Sequence, residues 1–184
     1  MRELTSERLL LRDPLPVDWK ALNQLISDPE AMRHMHFAKW DEPQRRDWFA
    51  SIVNNAQNPQ PDAYNWMIIE RSSNQLIGWL GIGGVDEPSI EGERDFGYLL
   101  APSHWNRGLM TEALKRVISY EFELLGTPYI SGSCETSNHA SARVMQKAGM
   151  QYLKTVFDSD FEGNWAERHH YGIAKPTNES PFSK

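Results

Sequence analysis

The chain has 184 residues, with 19 Lys and Arg against 25 Asp and Glu and a formal charge of −6, enough for one α/β domain with a sizeable core. That acidic balance gives nucleic acid no electrostatic footing, and a single cysteine, Cys134, excludes an internal disulfide and favours a reducing, cytoplasmic setting. The charged first ten residues hold no signal-peptide core, and no run approaches the roughly 18 apolar residues of a membrane span.

Arg8–Arg12 reads as a short strand, and Asp18–Ser27 as a helix with Leu22, Leu25 and Ile26 on one face, stopped near Pro29. A second helix starts near Pro43, a residue suited to a first turn, and carries Trp48, Phe49, Ile52, Val53 and Ala56 on its face. Tyr64–Glu70 and Gln75–Val85 form a hairpin around Ser72-Ser73-Asn74. Asp95–Leu100 is a strand that places Phe96, Tyr98 and Leu100 on one side. Met110, Ala113, Leu114, Val117, Ile118, Phe122 and Leu125 keep helical spacing until Gly126 and Pro128. Tyr129–Glu135 is a strand, and Asn138 opens a helix that Gly149 closes. Strands near Met150–Phe157 and His169–Ala174 follow.

One domain over residues 1–175 and a polar, disordered tail over 176–184 are expected. The strand–helix–strand unit from Asp95 to Glu135 demands a parallel pair. The class is therefore α+β: a mostly antiparallel sheet with one parallel pair and flanking helices. Ligands tend to bind at the carboxyl ends of such parallel strands.

The segment His104-Trp105-Asn106-Arg107-Gly108-Leu109-Met110-Thr111-Glu112 lies where strand meets helix. The first turn of a helix offers unpaired N–H groups and partial positive charge, an anion site. Gly108 would let backbone approach a diphosphate, and Arg107 would add a full charge. The chain lacks a P-loop, and Gly81-Ile82-Gly83-Gly84 lacks the third glycine and following helix of a dinucleotide fingerprint.

Two ordered motifs make the chain resemble the GNAT superfamily of N-acetyltransferases, and within it the branch that acetylates ribosomal-protein N-termini (RimJ/RimL). The first is Gly97-Tyr98-x-Leu100 followed by Trp105-x-x-Gly108-x-x-x-Glu112-Ala113. The second is Asn138-x-x-Ser141-x-Arg143-Val144-x-x-Lys147-x-Gly149-Met150. The resemblance implies a twisted sheet whose parallel strands splay, with acetyl-CoA as co-substrate. Pantetheine would pair near Leu99, Leu100 and Ala101, and the diphosphate would sit against Trp105, Asn106, Arg107, Gly108, Leu109, Met110 and Thr111. Asn138, Ser141 and Lys147 would complete the cofactor site. Against the family pattern Gln/Arg-x-x-Gly-x-Gly/Ala, Met110 is a departure whose side chain would crowd the loop.

The resemblance implies acetyl transfer to a primary amine in a ternary complex, with a protein or peptide α-amine as first acceptor. A small amine (polyamine, antibiotic or toxin) is the second, and a non-catalytic acyl-CoA sensor is the reading from another class. The chain would act as a monomer or homodimer, without a metal: its histidines show no ligand spacing. An α-amine of pKa about 7.7–8.0 is roughly 15% neutral at pH 7, a cost of about 1 kcal/mol, whereas a lysine amine costs about 4.6 kcal/mol.

The tyrosine acid of many relatives falls at Met145, which has no proton to give, so Ser141 is the nearest donor and Asn138 an orienting group or helix cap. Glu93, Asp95, Glu135, Asp158 and Asp160 are the candidate bases. Of these Asp160 is favoured because the RimJ/RimL branch can place a carboxylate before the last strand. Cys134 is read as a packed or site-lining thiol, since only Glu135 adjoins it. Trp19, Trp48, Trp66 and Trp79 are read as core, while His36, Trp40 and Trp165 fall in loops that would wall the acceptor.

Overall fold

A computed structural model of the protein describes residues 1–35, 39–159 and 165–176. In chain order its elements are β1 (Glu3–Thr5), β2 (Leu9–Arg12), α1 (Trp19–Ile26), α2 (Glu42–Asn55), β3 (Ala63–Glu70), β4 (Gln75–Gly84) and β5 (Arg94–Leu100). Then come α3 (Leu109–Tyr120), β6 (Tyr129–Glu135), α4 (His139–Lys147), β7 (Gln151–Ser159) and β8 (Trp165–Ala174). The described residues build one eight-stranded sheet in the order β1-β2-β3-β4-β5-β6-β8-β7. Only β5 and β6 run parallel, joined by the α3 crossover.

Alternation along the strands makes two apolar layers. Trp66, Ile68, Leu80 and Ile82 face α3 and α4, where Leu109, Ala113, Leu114, Val117 and Met145 close the larger core. Met67, Ile69, Trp79 and Leu99 face α1 and α2, against Leu22, Leu25, Phe49 and Ile52. The starts of α1 and α2 are held by short-range polar chemistry. Asp18 takes both nitrogens of the Arg12 guanidinium at 2.7 and 2.6 Å just before α1. Asp41 and Gln44 form a reciprocal cap on α2, with Pro43 in its first turn.

The structure corrects the expected elements at several points. Glu3–Thr5 adds a strand that was not expected; three residues are too few for any alternation to show. Helix α3 stops at Tyr120 and widens into a π turn over Glu121–Leu125. That wider turn rotates Leu124 and Leu125, the latter expected on the buried face, out to 70% and 36% exposure. β8 begins at Trp165, four residues before His169, because its first half pairs with β7 from Ser159↔Trp165 onward. Trp165, expected in a loop, is therefore a strand residue stacked on Phe157. Residues 177–184 of the expected tail, together with His36 and Asp160, lie outside the described residues.

Among the described residues no helix is long and apolar enough to cross a membrane. Gly126 ends the π turn at φ 74° and sends the chain back toward β6. A Cβ at Gly126 would touch nothing within 4 Å, so its cost isolates the left-handed backbone. Gly126→Ala should lose about 1 kcal/mol, read as a shifted urea midpoint with an unchanged slope.

Candidate active site

β5 and β6 register at a single pair, Arg94↔Ile130, and beyond it the strands separate toward their carboxyl ends. Into that gap opens a cavity of about 1360 Å³, larger than the roughly 300–1,000 Å³ that holds one small ligand. Two reactants fit the volume better than one. The Phe96 ring lies beside Gly132 of β6, where a Cβ would come within 2.6 Å of its Cζ. Tyr98 stacks on Phe96 at 5.9 Å.

The cofactor segment is built as the residues require. Trp105 donates its indole N–H to the Leu100 carbonyl at 2.7 Å, which fixes the turn out of β5. Asn106 and Gly108 take φ of 58° and 75°, and the first turn of α3 follows at once. A side chain at Gly108 would meet only Arg8, at 3.7 Å. Backbone rotation, more than crowding, is what demands glycine there. The N–H groups of the first turn are intrinsically unpaired, so the segment fits a diphosphate.

Of the residues expected around the cofactor, all line the cavity except Ala101 and Arg107. The Ala101 N–H is already bonded to the Ile77 carbonyl at 2.8 Å, which leaves it no bond for pantetheine. Arg107 turns away and donates to Glu70 Oε1 at 2.7 Å. The Ser73 hydroxyl first, then Arg107 and His104, hold the Glu70 carboxyl below the usual carboxylate range. Met110 is 5% exposed and packs in the core while also lining the cavity. Lys147 and Arg143, one turn apart on α4, are exposed and line the cavity.

Glu112 clasps the N-terminal segment. Its carboxylate accepts from the Ser6 hydroxyl at 2.7 Å, from the Arg8 N–H at 2.8 Å and from the Arg8 guanidinium at 2.7 Å. Burial opposes ionisation of Glu112, yet these donors bring its pKa below the ordinary value. Arg8 also donates to the Arg107 carbonyl at 2.9 Å.

Alternation divides the chemistry between the two faces of β5. Phe96 and Tyr98 pack with the α3–α4 core, whereas Leu99 packs toward α1 and α2; Asp95, in phase with Leu99, faces that second side. Asp95 bonds only the N–H of the next residue, Phe96, at 2.6 Å, and among the described residues it has no ion-pair partner. Burial first, and the nearby Glu93 charge, push its carboxyl up to about 7, against the pull of the Phe96 N–H. The other expected bases are engaged differently. Glu93 is buried and accepts from the Ser89 N–H at 2.6 Å. Glu135 meets His34 Nδ1 and the Ser137 hydroxyl, each at 3.3 Å. Asp158 accepts from the Ser159 N–H at 2.8 Å and lies 3.5 Å from His170 Nε2.

On the opposite face, Asn138 caps α4 by accepting from the Ser141 N–H at 3.1 Å. The Ser141 Oγ lies 2.7 Å from the Tyr98 hydroxyl. Cys134 is 5% exposed and lines the same cavity. Burial pushes its thiol up to about 11, so it stays protonated and is a poor nucleophile at neutral pH. Tyr98 and His34 were not expected as site residues. Tyr98 stood in the motif Gly97-Tyr98-x-Leu100, which was the one available signal.

The family pattern described as "Acetyltransferase (GNAT) domain" matches residues 8–151, and the chain belongs to that family. It is an acyltransferase, an N-acetyltransferase with acetyl-CoA as its co-substrate. A Bacillus licheniformis relative named "Uncharacterized N-acetyltransferase p20" is 30% identical over 152 residues, 82% of this chain and 83% of its own. Two solved structures share the fold at low identity. A RimL ribosomal L7/L12 α-N-protein acetyltransferase in complex with coenzyme A has a TM-score of 0.80 at 18% identity, covering 94% of this chain and 98% of its own. The Vibrio cholerae spermidine N-acetyltransferase, in complex with CoA and spermine, has a TM-score of 0.75 at 15% identity, with 92% and 97% covered.

The raised pKa of Asp95 has a thermodynamic signature. Its folded value of about 7 exceeds the roughly 3.9 of an unfolded Asp. Relative stability is therefore fully present below pH about 4 and is lost as pH rises through 7. Asp95→Asn should raise the melting temperature at pH 8, by no more than about 4 kcal/mol of stability, and change it little at pH 4. Paired thermal melts at the two values test this.

Proposed function

We propose that this enzyme transfers the acetyl group directly to the α-amine of a protein or peptide, with Asp95 as the base that receives the amine proton. The observation that carries the reading is a half-buried carboxyl with a pKa of about 7, free of ion pairs among the described residues, on a cavity of about 1360 Å³. An α-amine titrates at about 7.7–8.0, within roughly one unit of that base, so the proton passes nearly downhill. A lysine amine near 10.4 would lose its proton to Asp95 only against more than 4 kcal/mol. Asp160, favoured from the resemblance, stands as the second proposed base.

The residues divide the work by position. The N–H groups of the first α3 turn, with Gly108 and Trp105 shaping the loop, hold the diphosphate. Lys147 supplies positive charge from α4. Asp95 takes the proton as the C–N bond forms from the α1–α2 side. Ser141, held by its cap to Asn138, donates a hydrogen bond to the sulfur as the C–S bond breaks. The protonated Cys134 thiol supports direct transfer over an acyl-cysteine.

One observation favours a second reading. Glu30, Glu87, Glu93, Glu135 and Asp158 join Asp95 around the cavity, beside Arg33, Arg143, Lys147, Lys154 and Arg168; the carboxylates would suit a polycationic small amine, and the fold is shared with a spermidine enzyme.

Steady-state rates over a matched panel decide between acceptors: a peptide with a free α-amine, the same peptide N-blocked with one lysine, and spermidine. At pH 7 the α-amine should be fastest; a faster polyamine or lysine would sink the peptide reading. With the best acceptor, Asp95→Asn should lower kcat/KM by about 10²–10⁴-fold and remove an acid limb near pH 7. A variant that keeps both the rate and the limb would place the base elsewhere.

A further inference from the structure

We infer that Tyr98 is a positioning residue for the acid side of the reaction, setting the direction of the Ser141 hydroxyl hydrogen; this rests on the donor role proposed for Ser141. The Tyr98 hydroxyl stands 2.7 Å from Ser141 Oγ and 3.5 Å from the Ser141 carbonyl. A serine hydroxyl has one hydrogen and two acceptor sites. If Ser141 gave its hydrogen to Tyr98, nothing on Ser141 would remain for a departing sulfur. A phenol O–H is intrinsically a stronger donor than an aliphatic one, and its proton has two acceptors on Ser141 within reach. Tyr98 therefore donates and Ser141 Oγ accepts, which leaves the serine hydrogen on the side of the cavity that both residues line, where the Cys134 sulfur is its other neighbour.

The surroundings reinforce that direction. Burial, more than the opposing bond to Ser141, drives the Tyr98 pKa well above its ordinary value, so the phenol keeps its proton across the working pH range. Its ring is pinned by the stack on Phe96 at 5.9 Å and 11°. The Ser141 backbone is pinned by its bond to Asn138. Both ends of the pair are thus fixed by separate elements, β5 and α4. A chain of two hydrogen bonds, phenol to serine to sulfur, polarises along its length, so each donor strengthens the next. Met145, which occupies the slot of the tyrosine acid in many relatives, is fully buried with no proton to give. Tyr98 brings a phenol to the same region from β5, acting through Ser141.

The test is a double-mutant cycle of Tyr98→Phe and Ser141→Ala, with kcat, KM for acetyl-CoA and thermal melting measured for each. Tyr98→Phe should lower kcat about five- to tenfold, the worth of one hydrogen bond, with KM and melting temperature near the parent's. In the Ser141→Ala background the same change should cost nothing further. A slow Ser141→Ala beside a fully active Tyr98→Phe would overturn the inference and leave the role of Ser141 standing. A fully active Ser141→Ala would overturn both. Additive losses would also overturn it, since Tyr98 would then act independently of Ser141. Should Tyr98→Phe fail to fold, a ring-fluorinated tyrosine at position 98 keeps the hydroxyl and donates more strongly. Its kcat should rise, and an unchanged or lower kcat would refute the assigned direction.

Discussion

A parallel strand pair that meets once and then parts is the constraint on which the rest of this molecule depends. β5 and β6 share the single register pair Arg94↔Ile130, where the Ser131 hydroxyl also reaches the Arg94 carbonyl at 3.4 Å. Beyond that point an ordinary sheet would continue its ladder and leave no room for a substrate. Here the aromatic side chains of β5 fill the space that closure would need: Phe96 lies against Gly132, and Tyr98 stacks behind it. An open sheet edge inside a protein leaves backbone polar groups unpaired, a cost that persists only where something else meets them. In the function proposed above, the acyl-CoA substrate would meet them, and the same defect that weakens the sheet would supply the binding surface.

The gap also keeps the proposed acid and base apart. A strand points successive side chains to opposite faces. Asp95 therefore lies toward α1 and α2, while Tyr98, three residues on, reaches Ser141 on the α4 side. A carboxylate and a hydroxyl pair in direct contact would exchange protons with each other and do less for the reactants. Separation by the thickness of one strand keeps Asp95 desolvated, with its affinity for a proton raised, while the phenol remains neutral. Alternation along seven residues of β5 is enough to build both environments.

Much of this was legible in the sequence, for identifiable reasons. The fold rests on periodicity, and the alternation of β5 and the helical stripe of α3 are strong local signals. The turn into α3 was legible because Gly108 precedes a helix and because Trp105 and Glu112 stand at fixed offsets from it. What escaped depends on partners distant in the chain. Arg107 read as a phosphate ligand because its neighbours suggested nothing else, whereas Glu70 takes its charge from the end of the preceding hairpin. Asp95 was one of five candidate carboxylates, and what raises its proton affinity, desolvation beside the Glu93 charge, is assembled only by the fold. Tyr98 and Ser141 are brought together where the start of α4, which follows β6, meets the far half of β5, a fact of topology that no local pattern reports. β1 and the first half of β8 were hidden by shortness and by polar composition.

The clasp between Glu112 and the N-terminal segment ties the cofactor loop to residues more than a hundred positions earlier. Ser6 and Arg8 hold the carboxylate that begins the second turn of α3, and Arg8 also grips the carbonyl of Arg107, immediately before Gly108. The geometry of the loop is thereby a property of the whole chain, completed only when its first strands have docked. Nascent protein emerging from a ribosome would carry the loop and helix without their final shape until that docking, although the docking residues themselves are made first. For protein engineering the same clasp marks a boundary. Trimming the chain up to Leu9, or fusing a bulky partner directly onto Arg8, would act on the cofactor loop from outside the cavity, without altering any residue that lines it.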